Sequence, residues 1–241
     1  MYKEFKKLQF WAEDRIGIMA LDNGTNNDLD IELLSEILSA LSVGITDPEI
    51  EFIVMTGTKN TFSMGLNFCE KNFENREEIQ TILNIGHSIA ATLLSTPKLV
   101  VSILNGTAVD AGFELVLLSD IILSKENVKV GFPGLWFDLP HIIGTPALFS
   151  SIYGRNKYYK MICEQSFLAE SIDVVNKILP ADTLMKSAKE YIAHLPYFQN
   201  RFKKEVFSLY RPYLDFERYD LIAINSRPKI KELRDKLSKS L

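Results

Sequence analysis

At 241 residues, with 46% hydrophobic and 24% charged side chains, the chain suits a single globular domain with a substantial core, or one large domain with a smaller terminal piece. Its net charge of −4 is spread over both halves, which points away from a nucleic-acid surface or a polybasic membrane anchor. The two cysteines, Cys69 and Cys163, are far apart in sequence and lack CxxC partners, so neither a disulfide framework nor a zinc site is expected, and a reducing, cytoplasmic setting fits. No secretory leader is expected from MYKEFKKLQFW, and the apolar runs are interrupted by Asn105 and Asp120 well short of the roughly 20 residues that a membrane helix needs.

In chain order, LQFWAE and RIGIMAL read as two strands joined by a turn around Asp14. Asp28 or a neighbouring Asn then caps a helix marked by Leu33, Leu34, Ile37, Leu38 and Leu41. EFIVMTG is a buried strand, and Ile79, Ile82, Leu83, Gly86, Ile89, Ala90 and Leu93 give the apolar face of a second helix. KLVVSILNG, SDIILS and VKVGF continue the strand series, so the first 135 residues or so alternate strand and helix as an α/β protein does. The C-terminal third reads as mainly helical: Leu184, Met185, Ala188, Tyr191, Ile192 and Leu195 mark a helix capped by Asp182, and the lysine-rich tail supplies at least one more.

Two segments could carry chemistry. TGTKNTFSMGLNF and NGTAVDAGFEL each follow a strand and open a helix, where unpaired backbone N–H groups can hold an anion or a developing oxyanion. Gly65 and Gly112 would let the backbone approach a ligand closely. Together the two loops could clamp one carbonyl oxygen from two sides. Taken singly, each also reads as an ordinary strand-to-helix turn. P-loop, GxGxxG and GxSxG patterns are absent, and His87, His141 and His194 are widely separated, without HExxH, so no metal site is expected.

Read together, TFSMGLNF, PKLVVSILNGTAVDAGFELVLLSDIILSKENVKVGFP, IIGTPALFSSIYGRNK and LAESIDVVNKILP keep the order and approximate spacing of a known pattern from about residue 8 to residue 200. In these motifs the chain resembles the crotonase superfamily of enoyl-CoA hydratases and isomerases. The resemblance implies an α/β fold, a crotonase-like spiral of repeated strand-strand-helix units over residues 1–195. It also implies a helical region over 196–241 used in packing or oligomerisation, a homotrimer or a hexamer built as a dimer of trimers, and an acyl-CoA thioester as the binding partner. No cofactor is expected beyond the coenzyme A carried by the substrate.

Carried over by motif position, the resemblance makes the N–H groups of Leu66 and Ala111 the donors to the thioester oxygen, and Glu114 the acid/base beside the reacting carbons. Met64, Gly65 and Asn67 would line the entry for the adenine and pantetheine portions, with Gly112 giving the backbone close approach. Trp136 and Phe137 would wall an acyl pocket. Asp110 replaces a family glycine and reads as a local turn or cap residue. Where hydratases carry a second glutamate this chain has Gly134, so the carboxylate pair is broken; Asp138, or failing that His141, could supply the missing acid. Other departures are LDNGTNNDL in place of LNRPxxxNA and AESIDVV in place of the longer AEEAxxxGLV. The implied function is an acyl-CoA enzyme of the hydratase/isomerase type. Alternatives are a decarboxylase or thioester hydrolase of the same fold, or a catalytically degenerate acyl-CoA-binding subunit.

Overall fold

The computed structural model describes residues 4–66, 76–137, 141–143, 149–150, 152–164 and 166–195, with backbone alone at 76, 136 and 137. β1 (Leu8–Glu13) and β2 (Ile16–Leu21) form an antiparallel hairpin in which Glu13 pairs with Ile16. Asp14 and Arg15 both take positive φ, 47° and 66°, which is the backbone twist a two-residue hairpin turn requires. Helix α1 (Ile31–Thr46) follows, and its cap is Asp30 rather than Asp28: Asp30 Oδ1 accepts from Leu33 N at 2.8 Å.

A repeated unit then begins. β3 (Phe52–Gly57), β4 (Thr61–Ser63) and α2 (Arg76–Ser95) make the first strand-strand-helix turn. β5 (Leu99–Leu104), β6 (Thr107–Val109) and the short α3 (Ala111–Leu117) make the second. β7 (Ile121–Ser124) and β8 (Lys129–Gly131) start a third, which continues into a 3-10 turn at Pro133–Phe137. Beyond it lie α4 (Arg155–Cys163), the two-residue strands β9 (Phe167–Leu168) and β10 (Lys177–Ile178), and α5 (Leu184–Ala193). Asp182, expected to cap α5, lies instead in a 3-10 turn (Ala181–Thr183); Thr183 holds the cap position and makes no side-chain cap bond.

Each unit sends its first strand to one sheet and its second to another. The larger sheet runs β1-β2-β3-β5-β7-β10, and the smaller β4-β6-β8-β9. The inner strands β2, β3 and β5 of the larger sheet are buried on both faces, which is why they read as continuous apolar runs. Along β3, Ile53 and Met55 join the main core under α1 and α2. Phe52 and Val54 join a second core with Leu99, Val101 and Ile103 of β5 and with Ala188 and Ile192 of α5. Among the described residues, no helix is long and apolar enough to cross a membrane.

Candidate active site

The site follows from the smaller sheet. β4, β6 and β8 are parallel neighbours, with Thr61 beside Thr107 and Val109 beside Gly131. Segments leaving their C-terminal ends therefore emerge side by side at one edge: Met64–Leu66 after β4, Asp110–Gly112 after β6, and Phe132–Gly134 after β8.

The first segment is fixed by the stretch before α1. Asn27, fully buried at φ 50°, donates through Nδ2 to Thr61 O at 2.9 Å, and its carbonyl accepts from Ser63 Oγ at 2.7 Å. Met64 N donates to Asn26 O and Leu29 N to Gly65 O, at 2.9 and 2.7 Å. Gly65, at φ 83°, packs so tightly against the second segment that a Cβ there would stand 3.0 Å from Val109 O and 3.2 Å from Ala111 N. Gly112 is similarly pressed on Ser63, whose O would be 2.6 Å from an added Cβ.

Leu66 and Ala111 are buried, at 5% and 3% exposure. Their backbone N–H groups donate to no group of the protein among the described residues. Buried amide hydrogens without partners are rare in folded proteins, so two of them on touching segments mark a place where an oxygen can be received.

Below that place lies Glu114, 1% exposed on the first turn of α3. Its carboxylate accepts from Ile142 N at 3.2 Å and from Ile143 N at 2.8 Å. His141 Nδ1 is 3.3 Å from Glu114 Oε1, and His141 Nε2 is 3.3 Å from the Tyr158 hydroxyl. This bonding suits the tautomer that donates from Nδ1 to the carboxylate and accepts at Nε2 from Tyr158, an assignment made from the partners. The imidazole is buried and meets the Phe132 ring edge-on, with centroids 4.6 Å apart.

Asp110 stands at the turn that opens α3, as expected, but its side chain bonds elsewhere. It occupies the position before α3 but makes no cap bond with its side chain. Instead Oδ1 accepts from Gly134 N at 2.8 Å, across to the third segment. Its backbone has φ 47° and ψ −128°, a conformation natural to glycine that costs another residue on the order of 1–3 kcal/mol. Burial pushes its carboxyl up to about 7; the Gly134 N–H bond opposes this, the neighbouring Glu114 carboxylate adds to it, and His141 opposes it.

Residues 12–208 match the family model for enoyl-CoA hydratase/isomerase. The chain belongs to that family. It is 26% identical over 182 residues to the 2,3-dehydroadipyl-CoA hydratase of Escherichia coli K12, covering 73% of this chain and 70% of the relative. It is also 26% identical over 161 residues to a mitochondrial enoyl-CoA hydratase of Pongo abelii, covering 65% and 54%. The crystal structure of an enoyl-CoA hydratase from Bacillus halodurans superposes with a TM-score of 0.86 at 17% identity, over 96% of this chain and all of that one. The fold is thus crotonase-like.

In this enoyl-CoA hydratase/isomerase family member, Met64, Gly65, Leu66, Ala111, Gly112 and Glu114 come together on two adjoining segments. Met64 is half-buried beside them. Asn67 and Asp138 lie outside the described residues, as does the side chain of Trp136, whose backbone is in the 3-10 turn after β8. His141, ranked behind Asp138 as a source of acid, stands directly against Glu114. The roles of Asn27, Ser63 and Tyr158 escaped the sequence reading. For Asn27 a signal existed: it sits in a polar run before an apolar helix, and asparagine tolerates positive φ better than most residues.

Proposed function

We propose that the protein acts on acyl-CoA thioesters by the hydratase/isomerase type of chemistry, through an enolate whose oxygen is held by the N–H groups of Leu66 and Ala111. Support comes from one observation above the rest: two buried amides lack partners among the described residues on segments in direct contact, with a carboxylate one helical turn away. One such donor contributes about 3 to 4 kcal/mol to lowering a barrier that passes through an oxyanion. Glu114 is the acid/base in this reading, oriented by the Ile142 and Ile143 amides and by His141. Met64, Gly65, Asn67 and Gly112 would line the thioester's approach, and Trp136 its acyl end.

Gly134 motivates a second reading. With no side chain at that position, a reaction needing one carboxylate, such as decarboxylation or thioester hydrolysis, also fits, as does binding without turnover. A homotrimeric or hexameric assembly, in which residues 196–241 take part, a cytoplasmic location and the absence of any further cofactor complete the proposal.

The test uses the purified full chain with trans-2-enoyl-, 3-hydroxyacyl- and malonyl-type CoA thioesters, following turnover and binding separately, with light scattering for the assembly. Turnover of an enoyl- or hydroxyacyl-CoA supports the leading reading. Turnover of the malonyl type alone moves the assignment to decarboxylation. A protein that binds none of these thioesters has a different function.

A further inference from the structure

The carboxylate missing at Gly134 has a counterpart within contact distance. A Cβ on Gly134 would stand 2.8 Å from Asp110 Oδ1, 2.9 Å from its Cγ and 2.9 Å from Oδ2. The Asp110 carboxylate thus occupies the space into which a side chain at 134 would grow, so a side chain there would require the carboxylate to shift. Glycine at 134 leaves the carboxylate this position, and the Gly134 N–H bonds Oδ1 at 2.8 Å. Among the described residues Oδ2 has no bonding partner. The strained backbone at Asp110 is a second, independent observation: glycine would relieve it, yet a carboxylate is kept there. The side chain leaves the backbone one residue before the Ala111 amide and on the same segment as Glu114, whose N donates to Asp110 O at 2.9 Å.

We infer that Asp110 is the second acid/base of the site, in place of the glutamate that Gly134 lacks. The inference rests on the acyl-CoA reading above and narrows it to a two-carboxyl reaction, hydration of a 2-enoyl thioester and its reverse. In the forward direction the Glu114 carboxylate takes a proton from the water whose oxygen bonds to C3. The C2=C3 electron pair shifts to form the enolate, whose oxygen rests on the Leu66 and Ala111 amides. Asp110, as the acid, releases its proton from Oδ2 to C2 while the carbonyl re-forms. One water is added, Glu114 ends protonated and Asp110 ionised, and proton exchange with solvent resets both.

The groups that set the proton affinity of Asp110 are Glu114 on α3 and His141 on the 141–143 segment; the packed stretches Ser63–Leu66 and Phe132–Leu135 carry no titratable side chain. A fall in kcat/KM for hydration as pH climbs through about 7, where Asp110 loses its proton, is therefore the signature of Asp110.

The experiment compares the full-length protein with Asp110→Asn and with the double variant Asp110→Gly/Gly134→Glu. It measures trans-2-enoyl-CoA hydration against pH and, separately, affinity for butyryl-CoA, which keeps the thioester but has no double bond. Asp110→Asn should lose at least about 100-fold in kcat, bind butyryl-CoA within about three-fold of the parent, and lack the limb near pH 7. The double variant, with its carboxyl returned to position 134, should recover at least about ten-fold over Asp110→Asn. If Asp110→Asn does not fold, Asp110→Gly, which relieves the backbone, takes its place with the same expectation. A loss of less than ten-fold in kcat overturns the role of Asp110 while leaving the thioester reading intact. A parent protein that binds butyryl-CoA but turns over no enoyl thioester overturns Asp110 as a catalyst and keeps only the binding reading. A parent that neither binds nor reacts overturns both.

Discussion

His141 Nδ1 lies 3.3 Å from Glu114 Oε1, inside a part of the molecule where both side chains are almost wholly removed from water. The amides of Ile142 and Ile143 point at the same carboxylate, so Glu114 also ties α3 to the segment 141–143. Glu114→Gln exchanges one acceptor oxygen for an NH2 group that faces these donors. We expect turnover to fall about 100-fold or more and stability to fall by about 1–3 kcal/mol, read by steady-state kinetics beside urea denaturation. Unchanged turnover would remove Glu114 from the mechanism.

Tyr158→Phe isolates the outer end of this chain of bonds. The ring stays, and only the hydroxyl on His141 Nε2 is lost. A stability loss of about 1 kcal/mol and less than a ten-fold change in kcat are expected, because the contact to Glu114 through Nδ1 is retained. A larger kinetic effect would mean that Tyr158 takes part in the proton path itself.

Asn27→Ala tests whether the stretch before α1 holds the Leu66 amide in place. The substitution removes the Nδ2 bonds to Thr61 O and Thr58 O and the Oδ1 acceptor of Asn23 N, and puts alanine at φ 50°. Three lost bonds at a fully buried site, with added backbone strain, should lower stability by about 2–4 kcal/mol. Turnover should fall with it even at temperatures where the variant remains folded. Parent-like kinetics in the folded variant would show that the 64–66 segment holds its geometry without this anchor.

Asp110 gives the fold a pH dependence of definite sign. With its folded value raised to about 7 from 3.8, the folded state retains a proton that the unfolded chain releases, so its contribution falls as pH rises from about 4 and levels off above 7. Asp110→Asn keeps an oxygen for the Gly134 N–H and cannot ionise. The variant should match the parent near pH 4 and exceed it at pH 8 by on the order of 2 kcal/mol, as solvent reaching a side chain that is not fully buried weakens the full effect. Parallel melting curves at both pH values would refute this.

The architecture was legible where a pattern repeats or a motif is local. β3 and β5 are continuous apolar runs because both faces of the larger sheet are covered, and α1 and α2 show the three-and-four spacing of half-buried helices. The two amide-bearing segments were legible too, because small residues and glycine must stand where backbones touch. What stayed hidden depends on distances across the chain. Nothing adjacent to Asp110 in sequence indicates that its carboxylate reaches Gly134, 24 residues away, rather than its own helix. His141 gains its place only when the chain returns to α3, and Asn27 only when β4 arrives beside it. The cap residues Asp30 and Thr183 were missed by one or two positions, since several candidates stand next to one another and hydrogen-bond geometry decides among them.

The parallel order β4-β6-β8 places three chain tips along one rim. In the proposed reading the first two present the amides that receive an oxygen, whereas the second and third each offer a position for a carboxyl. Such a rim could hold the proton-moving group on either of two neighbouring tips, as proposed for position 110 in place of 134, while the receptor for the charged intermediate stays still. In such a frame the kind of intermediate is inherited from the main chain, and the fate of that intermediate is written in a few exchangeable side chains.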